Sequence, residues 1–262
     1  MNYGFIGCGN MGGAIVKTLS GVTKDILVTD RSGKAEAPAQ SLGIGYGAAS
    51  EIAEHCEVIF LAVKPHMMAG VLAPLQKTLQ ERKPLLITMA AGLTTERIAE
   101  MAGGALPIIR IMPNTPVAVG MGMTQYCCNE LVTAEMEADF LADMAVTGEV
   151  DKLEERLIDA ASALSGCGPA YMYMFIEALS DGAVACGIPR AKAMRYAAAT
   201  MAGAAKMVLE TGLHPGALKD AVCSPGGSTI QGVKALEDHG LRAAAISAVE
   251  AACNKNKELG KG

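Results

Sequence analysis

The chain has 262 residues, 51% of them hydrophobic, and a formal net charge of -5 with acidic and basic residues interspersed. This composition is sufficient for one large or two ordinary domains, and it excludes a nucleic-acid-binding basic stripe or an acidic tail. Because the eight cysteines lack metal-ligand spacing and no apolar run reaches about 18 residues, we expect no metal, no membrane partner and a cytoplasmic location.

The first part of the chain alternates short β-branched runs with helical stretches. Strands are predicted at residues 3–7, 26–30, 58–63, 85–90 and 107–112. Strands that alternate with helices indicate βαβ units and a parallel sheet. The fold class is therefore predicted as α/β, with an N-terminal Rossmann-type dinucleotide-binding domain over residues 1–152.

A G-x-G-x-x-G pattern follows the first predicted strand and opens a helix. In this context the pattern is typical of dinucleotide binding. Gly7 would make the turn, Gly9 would admit the pyrophosphate, and Gly12 would allow close packing of the helix. The predicted cofactor contacts in this motif are Gly7, Cys8, Gly9, Asn10, Met11 and Gly12.

The end of the second predicted strand carries conflicting signals about the cofactor. Asp30 is suited to the ribose 2′-hydroxyl of NAD, whereas Arg31 and Ser32 are suited to the 2′-phosphate of NADP. Asp30 can instead turn away or pair with Arg31. We expect NADPH as the cofactor, with NADH also possible.

Other candidate ligand contacts lie where predicted strands end. Lys64, with Val63, lies just past an apolar strand, at the edge where an open α/β sheet binds ligands. Asn114 lies in a loop stiffened by two prolines, and it either reaches the ligand or only satisfies its own turn. The predicted cofactor contacts in these segments are Ala62, Val63, Lys64, Pro65, Ala91 and Gly92.

From about Asp151 the pattern becomes helical throughout. Prolines at helix starts and glycines between helices predict an all-α domain over residues 153–262. The stretch 170–179 is apolar on nearly every face, so we expect a second subunit to bury it, with its own bundle as the alternative. Helices are predicted at 153–164, 169–186, 189–211, a short piece after Pro215, 227–236 and 241–258.

The segment 224–229 combines hydroxyls, a proline and glycines at a predicted helix start. Ser224 is predicted to cap a helix whose first residue is Pro225. The amides of residues 226–229 would then lack intrahelical partners and form a seat for a carboxylate. The spacing is equally compatible with a plain helix cap.

Blocks that match one known family run the length of the chain, at residues 5–11, 61–65, 90–92, 110–116, 164–171 and 224–229. Together they resemble the pyrroline-5-carboxylate reductase family. The resemblance implies a Rossmann domain followed by a helical domain that interlocks with its twin as a homodimer, and a ring of dimers such as a decamer. It also implies reduction of L-1-pyrroline-5-carboxylate, an imine carboxylate, to L-proline by a hydride from NAD(P)H, the last step of proline biosynthesis.

The same resemblance implies roles for individual residues. The Thr229 hydroxyl would lie on the ring nitrogen, while Ser224 and the amides of Gly227 and Ser228 would hold the carboxylate. Thr229 can alternatively bond back to its own helix. The remaining predicted substrate contacts are Asn114 and Glu155, and the ordinary alternative for Glu155 is a solvated acid in a first helical turn.

Two other functions are compatible with parts of this sequence. A β-hydroxyacid dehydrogenase has the same layout but carries a lysine and an asparagine on the helix that joins its domains, where this chain has Met172 and Ile176. A non-catalytic dinucleotide-sensing protein would keep the glycine motif but has no need for an anion seat at residues 224–229.

Overall fold

The structure, a computed structural model, describes residues 2–259. The chain forms two compact units. One reaches to Cys167 and includes the chain from Ala252, and the other is Gly168–Ala251. The domain boundary predicted from the sequence, between residues 152 and 153, lies one helix earlier in the chain.

The first unit is built on one sheet. Its strands are β1 (Tyr3–Ile6), β2 (Ile26–Thr29), β3 (Gly45–Tyr46), β4 (Val58–Leu61), β5 (Leu85–Thr88), β6 (Ile108–Met112), β7 (Gly122–Cys128) and β8 (Gly148–Lys152). They are ordered β3-β2-β1-β4-β5-β6-β7-β8. The first six run parallel, in the arrangement typical of dinucleotide-binding folds, and all five strands predicted from the sequence are present.

The expectation of a purely parallel sheet is wrong at one end of the sheet. β7 pairs antiparallel with β6, and β8 runs parallel to β7. The connection from β6 to β7 contains only a short 3-10 turn, Thr115–Val119, which leaves no room for the crossover that a parallel pair requires. β3, β7 and β8 were not predicted, since β3 has two residues and β8 carries charged edge residues.

Helices cover both faces of this sheet. They are α1 (Asn10–Leu19), α2 (Glu36–Leu42), α3 (Ala49–His55), α4 (Met68–Leu72), α5 (Gln76–Arg82), α6 (Thr95–Met101), α7 (Ala134–Met144) and α8 (Glu155–Ser165), with 3-10 turns at Pro65–Met67, Ala73–Leu75 and Ala145–Thr147. In β4, Val58 and Phe60 join one apolar cluster, and Ile59 and Leu61 join the other. The strand is therefore buried on both faces, as parallel sheets are.

The second unit consists of helices. They are α9 (Gly168–Ala185), α10 (Arg190–Thr211), α11 (Pro215–Ala221), α12 (Ser228–Asp238) and α13 (Leu241–Leu259), the last of which continues past the unit boundary. The ranges 169–186, 189–211, 227–236 and 241–258 predicted from the sequence begin and end within two residues of α9, α10, α12 and α13, and the short piece predicted after Pro215 is α11. No strand occurs within residues 168–251.

This helical unit has almost no core of its own. Within residues 168–251 only Ser180, Ala193 and Ala197 are buried. On α9, Met174 is 69% exposed and Tyr173 is 60% exposed. A single copy therefore does not cover its own apolar helix, which excludes the alternative of burial within its own bundle. An exposed apolar face of this kind is typical of an interface between subunits.

A search of the helices within residues 2–259 finds none with the length and apolar character needed to cross a membrane.

Candidate active site

A cleft of about 900 Å³ lies at the carboxyl ends of the parallel strands, beside the point between β1 and β4 where the strand order reverses. This is the place where open α/β sheets bind dinucleotides, and the volume is that of a cofactor site. Its lining includes the predicted contacts Gly7, Cys8, Gly9, Asn10, Met11, Gly12, Arg31, Ser32, Ala62, Val63, Lys64, Pro65 and Ala91. Among the described residues, Gly92 is the one predicted cofactor contact outside that lining.

The glycines of the first loop make room for a ligand. A side chain at Gly12 would place its Cβ 2.5 Å from the Gly7 carbonyl oxygen, so Gly12 permits α1 to approach the loop. At Gly9 a Cβ would meet nothing within 4 Å, because the position faces open space. Gly9 is also the N-cap of α1, whose first turn has no acidic residue. This arrangement fits a pyrophosphate at a helix N-terminus.

Asp30 is occupied by its own turn. One carboxylate oxygen accepts hydrogen bonds from the Ser32 amide at 3.0 Å, the Lys34 amide at 3.3 Å and the Ser32 hydroxyl, and the other accepts one from the Ala35 amide at 3.0 Å. Partial burial raises the pKa of Asp30, but these hydrogen bonds outweigh it and hold the pKa below its ordinary value. Asp30 lines the cleft beside Arg31, but its carboxylate is engaged by its own turn, whereas the Arg31 side chain is exposed.

The thiol of Cys8 is protonated where it lines the cleft. Cys8 lines the cleft, but burial, and after it the nearby Asp30 carboxylate, raises the pKa of its thiol to about 11. The Cys8 side chain therefore contributes a protonated, weakly polar thiol to the cleft lining. Within residues 2–259 there is no group of three or more His, Cys, Asp or Glu that could hold a metal ion.

Several lining residues were not predicted as cofactor contacts. Met89 directly follows β5 and Met112 is the last residue of β6, so their position at a strand end was a usable signal. Pro113 follows in the same loop. The helical segment after Lys64 also contributes, and no sequence pattern marks it; its lining residues are Met67, Gly70, Val71 and Pro74.

Asn114 and Glu155, the two predicted substrate contacts of this unit, already have protein partners. The Asn114 amide nitrogen donates to the Ser165 carbonyl at 3.0 Å, and its side-chain oxygen accepts from the Met123 amide at 2.9 Å. One Glu155 oxygen accepts from the Thr95 amide at 2.7 Å, and the other accepts from the Thr95 hydroxyl at 3.1 Å. Both side chains hold segments of the unit together.

In the second unit, the helix that carries Thr229 begins one residue after the predicted range 227–236, and three residues after the start at Pro225 that the capping pattern predicted. α12 starts at Ser228 with Gly227 as its N-cap, so the prediction that Ser224 caps a helix starting at Pro225 is wrong. Ser224–Gly227 is instead a turn, in which the Gly227 amide donates to the Ser224 carbonyl at 3.0 Å. Pro225 followed by Gly226, whose φ is +71°, is the signature of a type II turn.

This turn places two free hydroxyls at the start of α12. A Cβ on Gly227 would lie 2.3 Å from the Ser224 Oγ, so the hydroxyl lies directly over the helix start. Among the described residues neither Ser224 nor Thr229 has a hydrogen-bond partner for its side chain, which excludes the bond from Thr229 back to its own helix. The first turn of α12 contains no acidic residue. The amides of Ser228 and Thr229 therefore present the positive helix end to solvent.

Comparison with protein-family models gives two matches along the chain. Residues 155–259 match the model described as pyrroline-5-carboxylate reductase dimerisation. Residues 2–92 match the model described as NADP oxidoreductase coenzyme F420-dependent. The first match begins at α8 and the second covers β1 to β5.

Individual relatives match over nearly the full length. The pyrroline-5-carboxylate reductase of Escherichia coli is 44% identical, and the alignment covers 98% of each chain. The solved structure of a Coxiella burnetii pyrroline-5-carboxylate reductase superimposes with a TM-score of 0.90 at 38% identity, over 98% of both chains. The Plasmodium falciparum pyrroline carboxylate reductase, solved with NADP bound, gives 0.89 at 33% identity over 99% of this chain and 98% of that one.

Proposed function

Because this chain belongs to the pyrroline-5-carboxylate reductase family, we propose that it reduces L-1-pyrroline-5-carboxylate to L-proline with a hydride from NAD(P)H, the last step of proline biosynthesis. The observation that carries this proposal is the identity of 44% over 98% of the chain, which includes both the cofactor cleft and the start of α12. The protein is an oxidoreductase that acts on a C–N bond.

The cofactor supplies the hydride, and the first unit supplies its binding site. The loop from Gly7 to Gly12 accepts the pyrophosphate because its glycines leave space and the amides at the N-terminus of α1 point outward. Arg31 holds the 2′-phosphate, since the Asp30 carboxylate already accepts four hydrogen bonds within its own turn. NADPH is therefore the preferred cofactor.

The substrate is a ring with a carboxylate and an imine nitrogen, and the start of α12 suits both groups. The amides of Ser228 and Thr229, with the Ser224 hydroxyl, hold the carboxylate at the positive helix end. The Gly227 amide is engaged in the turn, so Gly227 contributes by leaving room for Ser224.

The Thr229 hydroxyl lies at the imine nitrogen in this proposal. A protonated imine is the better hydride acceptor and forms near neutral pH, so the protein needs no strong acid. The chain has to orient the ring and shield it, which is the larger part of such catalysis. Contact of the substrate with Asn114 or Glu155 stays a prediction of the family resemblance, because the polar atoms of both have protein partners.

The protein forms a homo-oligomer through its helical unit, whose residues match a dimerisation model and which lacks a core as a single copy. A ring of dimers such as a decamer and a cytoplasmic location are further predictions from the sequence.

Mixing the purified protein with NADPH and L-1-pyrroline-5-carboxylate tests the function directly. We expect the absorbance of the reduced nicotinamide to fall as L-proline forms. NADPH binding without loss of absorbance would favour a non-catalytic sensor. Oxidation of a hydroxyacid with NAD, without turnover of the imine, would favour a β-hydroxyacid dehydrogenase.

A further inference from the structure

A buried arginine in β6 has two carboxylate partners on α8. Arg110 is 1% exposed, and it lies in an otherwise apolar strand. Its guanidinium contacts Asp159 at 2.5 Å and Glu155 at 3.7 Å. A buried charge requires a compensating partner. Asp159, at the shorter distance, already balances the single positive charge.

The shorter contacts of Glu155 are with a different element. Its two oxygens accept the amide of Thr95 at 2.7 Å and the hydroxyl of Thr95 at 3.1 Å. Thr95 is the first residue of α6, so the carboxylate caps that helix and meets its positive end. Glu155 therefore joins β6, through Arg110, to the start of α6.

Both connected segments lead directly to the cofactor cleft. β6 ends at Met112, which lines the cleft together with Pro113. The loop before α6 contributes Met89 and Ala91 to the same lining. These two walls come from separate parts of the chain, and the Glu155 carboxylate contacts Arg110 in the strand that leads to one wall and Thr95 in the helix that follows the other.

We propose that Glu155 is a positioning residue for the cofactor, because its carboxylate bridges Arg110 and Thr95 and so fixes the spacing of two walls of the cleft. The inference rests on the proposed cofactor site. Side chains that hold binding elements in place change affinity even where they do not contact the ligand.

Glu155→Gln tests this bridge, with two matched variants. The glutamine side chain keeps the shape of the glutamate but removes its negative charge. That charge is stabilised by the Arg110 guanidinium and by the positive N-terminal end of α6. Asp159→Asn removes the other carboxylate from the same guanidinium and leaves Thr95 untouched. Glu154→Gln changes the neighbouring exposed glutamate, which pairs with Arg156.

The dissociation constant for NADPH, measured by fluorescence titration without substrate, is the main measurement. We expect Glu155→Gln to raise it about tenfold, while Asp159→Asn and Glu154→Gln leave it within about twofold of the parent value. Thermal unfolding will show that Glu155→Gln and Asp159→Asn both lose stability. A purely structural role predicts equal effects of these two variants on NADPH affinity, or none, and either result would overturn the proposal.

Substrate kinetics test the alternative that Glu155 contacts the substrate directly. If Glu155→Gln raises the KM for the imine while the dissociation constant for NADPH stays unchanged, Glu155 is a substrate contact and the proposal is wrong. Should Glu155→Gln fail to fold, Thr95→Val removes the hydroxyl that donates to Glu155 from the other side of the bridge. An unchanged NADPH affinity in that variant would also overturn the proposal.

The parent protein distinguishes this proposal from the proposed function. NADPH binding without turnover of the imine rejects the function and leaves the bridge testable. Absence of NADPH binding by the parent protein rejects both.

Discussion

At the scale of single residues, the hydrogen bonds that a side chain already makes decide its role. Asn114 and Glu155 have polar atoms engaged by the protein, whereas Ser224 and Thr229 present unpaired hydroxyls at the start of α12. An unengaged polar group in a predicted ligand site is the stronger candidate for contact with a ligand. This contrast could not be drawn from residue types alone.

Thr229→Val is expected to lower kcat about 10- to 100-fold, because it removes the hydroxyl that orients the imine nitrogen. The KM for NADPH should stay within about twofold, since the side chain lies in the helical unit and not in the cofactor cleft. Thr229→Ser keeps the hydroxyl and should retain most of the activity. Steady-state kinetics with each substrate varied will test this, and equal losses in kcat and in NADPH affinity would reject the assignment.

Arg31→Ala is expected to raise the KM for NADPH about tenfold and to leave the KM for NADH unchanged, because only NADPH carries the 2′-phosphate. Lys34→Ala is the matched control, since Lys34 lies in the same turn but outside the cleft lining. The measurement is the ratio of kcat/KM for the two cofactors. An equal change for both cofactors would show that Arg31 does not contact the phosphate.

At the scale of elements, the candidate site is formed by the N-terminal ends of α1 and α12. The sequence predicted the start of α1 more accurately than the start of α12. α1 begins directly after its glycine motif, as expected. At α12, Ser and Pro were expected to begin the helix, but the Pro225-Gly226 pair forms a turn and the helix begins at Ser228. Proline fits the first helical position and the second position of a turn equally well, so its presence alone does not decide between them.

Gly9→Ala should weaken NADPH binding without loss of stability, whereas Gly12→Ala should lower the stability of the fold. At Gly9 a Cβ meets no protein atom within 4 Å, so the fold should tolerate alanine while NADPH affinity falls by about tenfold or more, because the methyl group occupies the space of the pyrophosphate. At Gly12 a Cβ lies 2.5 Å from a backbone oxygen, and we expect a loss of about 1–3 kcal/mol in the free energy of unfolding.

Thermal or denaturant unfolding, paired with NADPH titration, separates the two variants. The interpretation fails if Gly9→Ala binds NADPH as tightly as the parent protein, or if Gly12→Ala is as stable as the parent.

At the scale of the whole molecule, the helical unit leaves an apolar face of α9 exposed, and we expect a second copy to cover it. Met174→Asp puts a charge on the exposed apolar face of α9, and burial of that charge in an interface is unfavourable. We expect the dimer dissociation constant to rise at least about tenfold. Val22→Asp, at a 63% exposed apolar residue of the other unit, serves as the control and should leave the dimer intact.

Sedimentation over a dilution series will measure this. A parent protein that stays monomeric at all concentrations would contradict the oligomer, and an unchanged Met174→Asp dimer would exclude this face of α9 from its interface.

The sequence by itself determined the elements whose signal is local. β-branched runs between helical stretches indicated the five parallel strands, and proline and glycine punctuation placed the helices of the second unit within two residues. The glycine motif also identified the cofactor loop, because its spacing after a strand reflects one local geometry.

Only the tertiary structure decided the antiparallel β7, the turn at Ser224, the orientation of Asp30 and the bridge from Arg110 to Thr95. Each of these depends on which hydrogen-bond partner or neighbouring strand is within reach. Asp30 could bond a ribose or its own turn, and the geometry of residues 30–35 selects the turn. Arg110 lies in an otherwise apolar strand, and its carboxylate partners are 45 and 49 residues away in the chain. Local propensity carries no information about such distant partners, whereas packing brings them together.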